Sequence, residues 1–245
     1  MIPSGPFLRA EWRHLAMLNF AVERSLLTSL VPRGTELDEW QGRCYVSVVG
    51  FLFLRTRVLG VPIPFHGRFE EVNLRFYVRR KAGDEWRRGV VFVKEIVPKP
   101  AVTLVARALY NENYVTLPMR HEIVHSAGDP GRLASVSYRW TLDGRPSHLS
   151  VSVEAEPQPL AAGSEQEFIT EHYWGYTRQR DGGTSEYHVR HPRWRVTAVR
   201  HAELDCDVAR LYGPAFALPL RARPESAFLA DGSEVTVSRG VRLAL

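Results

Sequence analysis

At first sight the chain's most chemical residues are His121-Glu122-Ile123-Val124-His125, which match the H-E-x-x-H pattern of zinc peptidases. That chemistry needs a helix. One turn stacks the two imidazoles on a common face, where they share a zinc ion and the glutamate serves the metal-bound water as a base. Here Pro118 lies just before the pattern and Gly128-Asp129-Pro130-Gly131 just after it, and the flanking Tyr114-Val115-Thr116-Leu117 favours strand, as does Ile123-Val124. On a strand the two histidines share a face but stand about 13 Å apart, at ~3.3 Å per residue. Nitrogens so far apart cannot both reach one zinc ion at about 2 Å. The context predicts two histidines on a sheet face and no metal; His121, Glu122 and His125 would be ligands only in a helix.

Other reactive side chains are few. Lys81, Lys94 and Lys99 are the only lysines, so any step that needs a primary amine has three candidates. Cys44 and Cys206 are isolated and read as reduced thiols, forming neither a disulfide framework nor a metal knuckle. His172, beside Glu171, has the chemistry of a base or a ligand, although a single histidine at a helix end more often serves packing.

The elements that must position these groups are mostly strands. Tyr45 to Phe53, Val90 to Ile96 and Val102 to Leu109 are rich in Val, Leu and Phe between breakers, as buried strands are. Asn73 to Val78 alternates, placing Leu74, Phe76 and Val78 on one face of a half-buried strand. Asp143-Gly144-Arg145-Pro146 joins Ser135–Leu142 to Leu149–Ala155 as a hairpin, and Asp181-Gly182-Gly183 joins Tyr176–Arg180 to Ser185–Val189. Helix signals are limited to Glu23–Val31, stopped by Pro32 and Gly34, and Ser164 to about Tyr173, opened by the capping box Ser164-x-x-Glu167. The fold class expected is mainly β, an antiparallel barrel or sandwich with a few short helices.

Composition narrows the functional classes. With 44% hydrophobic and 24% charged residues, the 245-residue chain is expected to form a single domain over 1–245. Its net charge of +5 invites a nucleic-acid reading, but the arginines are interspersed with acids. The densest basic cluster, Arg79-Arg80-Lys81, precedes a hairpin turn at Ala82-Gly83-Asp84. Met1-Ile2-Pro3-Ser4-Gly5-Pro6 lacks the basic-then-apolar order of a signal peptide, and no run approaches the roughly 20 apolar residues of a membrane helix. The expectation is a cytoplasmic protein without nucleic-acid or membrane partners and without a cofactor, with room left for a homo-oligomer.

Several segments, in order, resemble the YqjF-like family, the domain of unknown function numbered 2071. They are Leu30-Val31-Pro32-Arg33-Gly34-Thr35-Glu36-Leu37-Asp38, Trp40-Gln41-Gly42-Arg43, Phe69 to Arg79, Gly89-Val90-Val91-Phe92, Phe168 to Tyr176 and His191-Pro192-Arg193-Trp194. That family is similar in fold to acetoacetate decarboxylase, which implies an antiparallel β-barrel with an interior cavity. The decarboxylase forms a Schiff base on a lysine activated by its neighbour. Against that motif, the resemblance brings Arg107 onto the family's arginine and makes Glu71 the equivalent of a site glutamate. Ala108 stands for the motif glutamate, Asn113 for the proline, Tyr114 for the reactive lysine and Val115 for its neighbour. Tyrosine supplies no primary amine, so imine chemistry is not expected.

The resemblance thus implies a binding protein or enzyme for a small keto- or carboxylate-bearing metabolite. Arg107 would grip the ligand, while Glu71 and Tyr114 bind it or handle protons. The simpler reading pairs Arg107 with Glu71 as an internal ion pair bracing two strands. A non-catalytic module using Tyr173-Trp174-Gly175-Tyr176 as a surface is the alternative, and core packing is the plainer role for those rings.

Overall fold

The computed structural model describes residues 5–109, 111–153 and 155–244. Met1–Ser4 of the N-terminal reading and Glu154 of the strand expected over 149–155 lie outside them. The principal elements in chain order are β1 (Leu8–Val22), α1 (Arg24–Thr28), β2 (Cys44–Val58), β3 (Arg68–Ala82), β4 (Glu85–Val97), α2 (Pro100–Leu109), β5 (Tyr114–Thr116), β6 (Met119–Ser126), β7 (Asp129–Leu142), β8 (Arg145–Val153), α3 (Glu165–Thr170), β9 (Trp174–Arg178), β10 (Thr184–Arg190), β11 (Arg195–Asp205), α4 (Val208–Tyr212) and β12 (Ser226–Val237).

The long strands close into a barrel-like ring in the order β12-β1-β2-β3-β4-β9-β10, with β10 returning to β12 at Val189–Val237 and Arg190–Thr236. Most of its neighbours are antiparallel, and β9 joins β4 in parallel at Trp174–Gly89. A second run, β11-β8-β7-β6, branches from β12 through β11. It packs against the ring's outer face, where Tyr138, Trp140, Leu149 and Val151 meet Ala16, Leu18, Val48 and Phe76. Gly50 permits this close approach: a Cβ there would stand 2.5 Å from Tyr138 Cδ2. A separate cluster that includes Met17, Tyr45, Val49, Tyr77 and Phe228 fills part of the ring interior. Each side chain so buried contributes roughly 1.5–3 kcal/mol of hydrophobic stabilisation.

Both predicted hairpins form, and the predicted helices appear in shorter versions. Ser164 caps α3 by accepting from the Glu167 amide at 3.1 Å, but the Glu167 carboxylate accepts from the Gly163 amide rather than from Ser164. Two expectations are corrected. Residues 102–109 are not a strand but lie in α2. Pro100 suits a first helical turn, and Val102, Val105 and Ala106 recur at the helical period on the face that closes over the interior. Asn73–Val78 is not half-buried but buried on both faces, because its apolar side joins the cluster that the second sheet, α1 and α4 share, and its polar side faces the ring interior. In the basic cluster, Arg79 pairs with Glu36 and Arg80 with Glu186. Both cysteines are free thiols. No helix among the described residues is long and apolar enough to cross a membrane.

Candidate functional site

The ring encloses a cavity of about 300 Å³. Strand β3 supplies its polar floor. Glu71, Asn73 and Arg75 occupy alternate positions, so the period of two that sends Leu74 and Phe76 outward sends these three inward. The neighbouring β4 would present Lys94 to the interior if its alternation ran unbroken from Val90 and Phe92. A β-bulge interrupts it: Arg75 pairs with Phe92 and Leu74 with Lys94, leaving Val93 over. The phase flips, Glu95 enters the cavity and Lys94 is turned away from it. None of the residues lining the cavity is a lysine.

The third acid arrives on the link between α2 and β5. Asn111 donates to the Arg178 carbonyl and Asn113 to the Val93 carbonyl, each at 2.9 Å. Glu112, held between them, turns inward to accept from Tyr187 Oη at 3.0 Å and from Thr177 Oγ1. Strand β5 then runs parallel to β4 with Tyr114 beside Glu95. The Tyr114 hydroxyl donates to Glu71 Oε2 at 3.2 Å, and Asn73 Nδ2 donates to Glu71 Oε1 at 3.0 Å.

Three buried carboxyls in one cavity cannot all ionise cheaply. Burial lifts Glu71 to about 7, against the hydrogen bonds from Asn73 and Tyr114 that favour its charge. Burial likewise lifts Glu112 to about 7, with the charge of Glu71 adding to the effect. Glu95 is pushed well above the usual carboxylate range by burial and then by Glu112 and Glu71, and its Oε2 is a buried atom without a partner. Burial also raises Tyr114, whose hydroxyl therefore stays protonated. Near neutrality the cluster holds exchangeable protons around one tyrosine hydroxyl.

Arg75 is the cation of this cavity. It is buried, donates to the Ile169 carbonyl at the end of α3 at 3.4 Å, and leaves its Nε without a partner. Among the described residues no ion pair to it is formed. His172 lies nearby on the lining, its Nε2 3.1 Å from Asp38 Oδ2, which also accepts from Arg88 Nε at 2.7 Å. Burial lowers His172 to about 4, so the ring is neutral and donates to Asp38, leaving Nδ1 as a buried acceptor without a partner. The other walls are apolar and aromatic, with Trp12, Phe51, Phe53, Phe69 and Trp194 prominent.

The structure therefore brings Glu71 and Tyr114 together, as expected, but places Arg107 elsewhere. Arg107 is exposed in the last turn of α2, where its guanidinium donates to the Tyr114 carbonyl, 2.8 Å from Nε. The expected Arg107–Glu71 ion pair is not formed, because residue 107 lies on a helix rather than on an inward-facing strand. Arg107 instead fastens β5 to α2. His121, Glu122 and His125 lie on strand β6, where residue context puts them. His121 bonds Glu70 through Nδ1 and Arg68 through Nε2, and no group of described residues is arranged to hold a metal ion. In the aromatic segment Tyr176 is fully buried and Trp174 lines the cavity, so these rings pack inward rather than forming an outer surface.

Sequence reasoning missed Arg75, Glu95 and Glu112. For Arg75 a signal existed: polar residues recur at 71, 73 and 75 opposite the apolar 74, 76 and 78.

The comparisons with known proteins agree with this fold. YqjF of Bacillus subtilis, an uncharacterized protein, is 29% identical over 183 residues, 74% of this chain and 72% of that protein. Acetoacetate decarboxylase from Legionella pneumophila shares the fold with a TM-score of 0.65 at 13% identity, covering 99% of this chain and 88% of that one. An acetoacetate decarboxylase-like enzyme from Sphingomonas wittichii gives 0.65 at 14% identity, covering 98% and 93%. The enduracididine biosynthesis enzyme MppR, complexed with pyruvate, gives 0.66 at 11%, covering 99% and 92%. A family model for an uncharacterized conserved protein matches residues 9–234, and the chain belongs to that family, DUF2071, on an acetoacetate decarboxylase-like fold.

Proposed function

We propose that the cavity binds a small oxo acid or related carboxylate and moves a proton on it, without forming an imine. The observation that carries this reading is Arg75, a buried guanidinium facing a cavity in which no carboxylate pairs with it. A buried cation is costly unless paired, and a bound carboxylate would supply the missing partner through a bidentate contact. Tyr114 and a protonated Glu95 are the donors for a ligand carbonyl, and Glu71, poised near neutrality, is the group to take a proton from the adjacent carbon. Arg107 acts through the Tyr114 backbone as a positioning residue. The pyruvate held by MppR is a ligand of the same chemical class.

Calorimetric or thermal-shift titration with short keto and hydroxy acids tests the reading. A ligand at a hundred times its dissociation constant adds about 2.7 kcal/mol to folded-state stability, and Arg75→Met abolishes that gain. A panel in which no acid stabilises the wild-type protein, or in which Arg75→Met responds like wild type, sinks the proposal. Borohydride added with a bound oxo acid leaves the protein mass unchanged, because the cavity offers no amine.

A further inference from the structure

The cavity is divided. Along the inward face of β3, Phe69, Glu71, Asn73 and Arg75 follow one another at roughly 6.6 Å per step, two residues at ~3.3 Å each. The floor therefore grades from aromatic ring to acid to amide to guanidinium. Around the Phe69 end the rings form a continuous wall. Phe53 stacks on Phe69 with centroids 4.6 Å apart, Phe51 lies 5.3 Å from Phe53, and Trp12 lies 5.3 Å from Phe51 and 6.4 Å from Trp194. The acids and the guanidinium are confined to the other end, and the polar atoms beside the rings are few, chiefly those of Thr56, His66 and Trp12 Nε1.

A three-carbon oxo acid takes the place of roughly three waters, on the order of 90 Å³ at ~30 Å³ each. Seated with its carboxylate on Arg75 it leaves most of the roughly 300 Å³ cavity unfilled, and the unfilled part is the aromatic wall. Water against that wall has few polar partners, so displacing it by apolar groups favours binding.

We infer that the ligand is an oxo acid carrying an apolar tail, aromatic or several carbons long, with its carboxylate at Arg75, its carbonyl at Tyr114 and Glu95, the adjacent carbon at Glu71, and its tail against Phe53, Phe69 and Trp12. This inference rests on the oxo-acid reading of the same site and adds the class of side chain. The graded floor sets the order of groups along the ligand, and the wall sets its selectivity.

The test titrates the full-length protein with pyruvate, 2-oxobutyrate, 2-oxohexanoate and phenylpyruvate, and with 4-phenyl-2-butanone as a tail without the carboxylate. The expected result is about fourfold tighter binding per added methylene, equivalent to ~0.8 kcal/mol, and phenylpyruvate at least tenfold tighter than pyruvate. Phe53→Leu, which keeps the site filled, and Ile63→Ser, on the loop before β3 that lines the cavity, both narrow the gap between phenylpyruvate and pyruvate. Pyruvate affinity stays within about twofold in Ile63→Ser. Equal affinity along the acid series, or a preference for pyruvate, overturns the tail while leaving the oxo-acid reading intact. Binding of 4-phenyl-2-butanone with no binding of any acid overturns both.

Discussion

The two faces of β3 carry the same backbone and opposite chemistry. Outward, Leu74, Phe76 and Val78 are buried without a polar atom, in one cluster with the second sheet and with residues of α1 and α4. Inward, Glu71, Asn73 and Arg75 are buried to a similar degree, yet Asn73 Oδ1 and Arg75 Nε lack partners and Glu71 resists ionisation. A strand selected for stability alone would not hold a carboxyl, an amide and a guanidinium in this state, because unpaired buried polar groups each cost about 1–3 kcal/mol. The outward face holds the ring together. The inward face is kept at a cost in stability, as expected of a site that a ligand completes.

Substitution separates the two faces most sharply. Phe76→Ala, on the outward face, lowers the unfolding free energy by about 3–5 kcal/mol, the usual loss for a buried phenylalanine. Arg75→Met, one residue away on the inward face, leaves it unchanged or raises it by about 1 kcal/mol, since an unpaired buried charge is replaced by an apolar chain of similar length. Urea denaturation of both variants checks this. A loss of several kcal/mol in Arg75→Met would show that the guanidinium is a structural brace.

Titration gives the next largest effect, and the raised carboxyls that carry it face the cavity. Glu71 and Glu112 go from 4.5 in the unfolded chain to about 7 in the fold. Between those values these two carboxyls bind more protons in the native state than in the unfolded chain. Their contribution to stability therefore falls as pH rises from about 4.5 to 7 and levels off above, while His172 and His191, lowered by burial from 6.5 to about 4, contribute in the opposite sense. For one isolated carboxyl the change is on the order of 3 kcal/mol. Glu71→Gln and Glu112→Gln each remove one such contribution. The difference in unfolding midpoint between the wild type and each variant, measured from about pH 4.5 to 8, decides it, and a difference that grows in the opposite direction with pH would mean that the carboxylates are ion-paired.

The same contrast explains what the sequence disclosed. Apolar runs and Gly-containing turns write the strands and hairpins directly, so the frame of the ring and its second sheet is legible. Glu71 and Tyr114 emerged only through a family resemblance, and Arg75 was not legible because polar residues alternating with Leu74, Phe76 and Val78 have the pattern of a solvent-facing side. Glu95 depends on a bulge at Val93 that alternation does not announce. Glu112 depends on asparagine contacts to distant strands, and Arg107 was misplaced because Val102 and Val105 gave a helix the composition of a strand. Local periodicity predicts where backbone goes. The site arises where that periodicity breaks.

The smallest effect concerns the segment with the most suggestive sequence. His121-Glu122-x-x-His125 lies on β6, in the layer that covers the ring from outside. Residues four apart on a strand are about 13 Å from each other. His121 already spends both ring nitrogens on Glu70 and Arg68, and Glu122 pairs with Arg139 at 2.8 Å on the exposed side. Such half-exposed pairs are worth about 0–1 kcal/mol. Replacing His121 and His125 together by alanine should therefore shift the unfolding free energy by no more than about 1 kcal/mol. Oxo-acid binding should stay at the wild-type level, and added zinc should raise the melting temperature of neither protein. Zinc stabilisation of the wild type that disappears in the double variant would mean that β6 rearranges into a helix to bind metal, and the contrast between an inert cover and a reactive interior would fail.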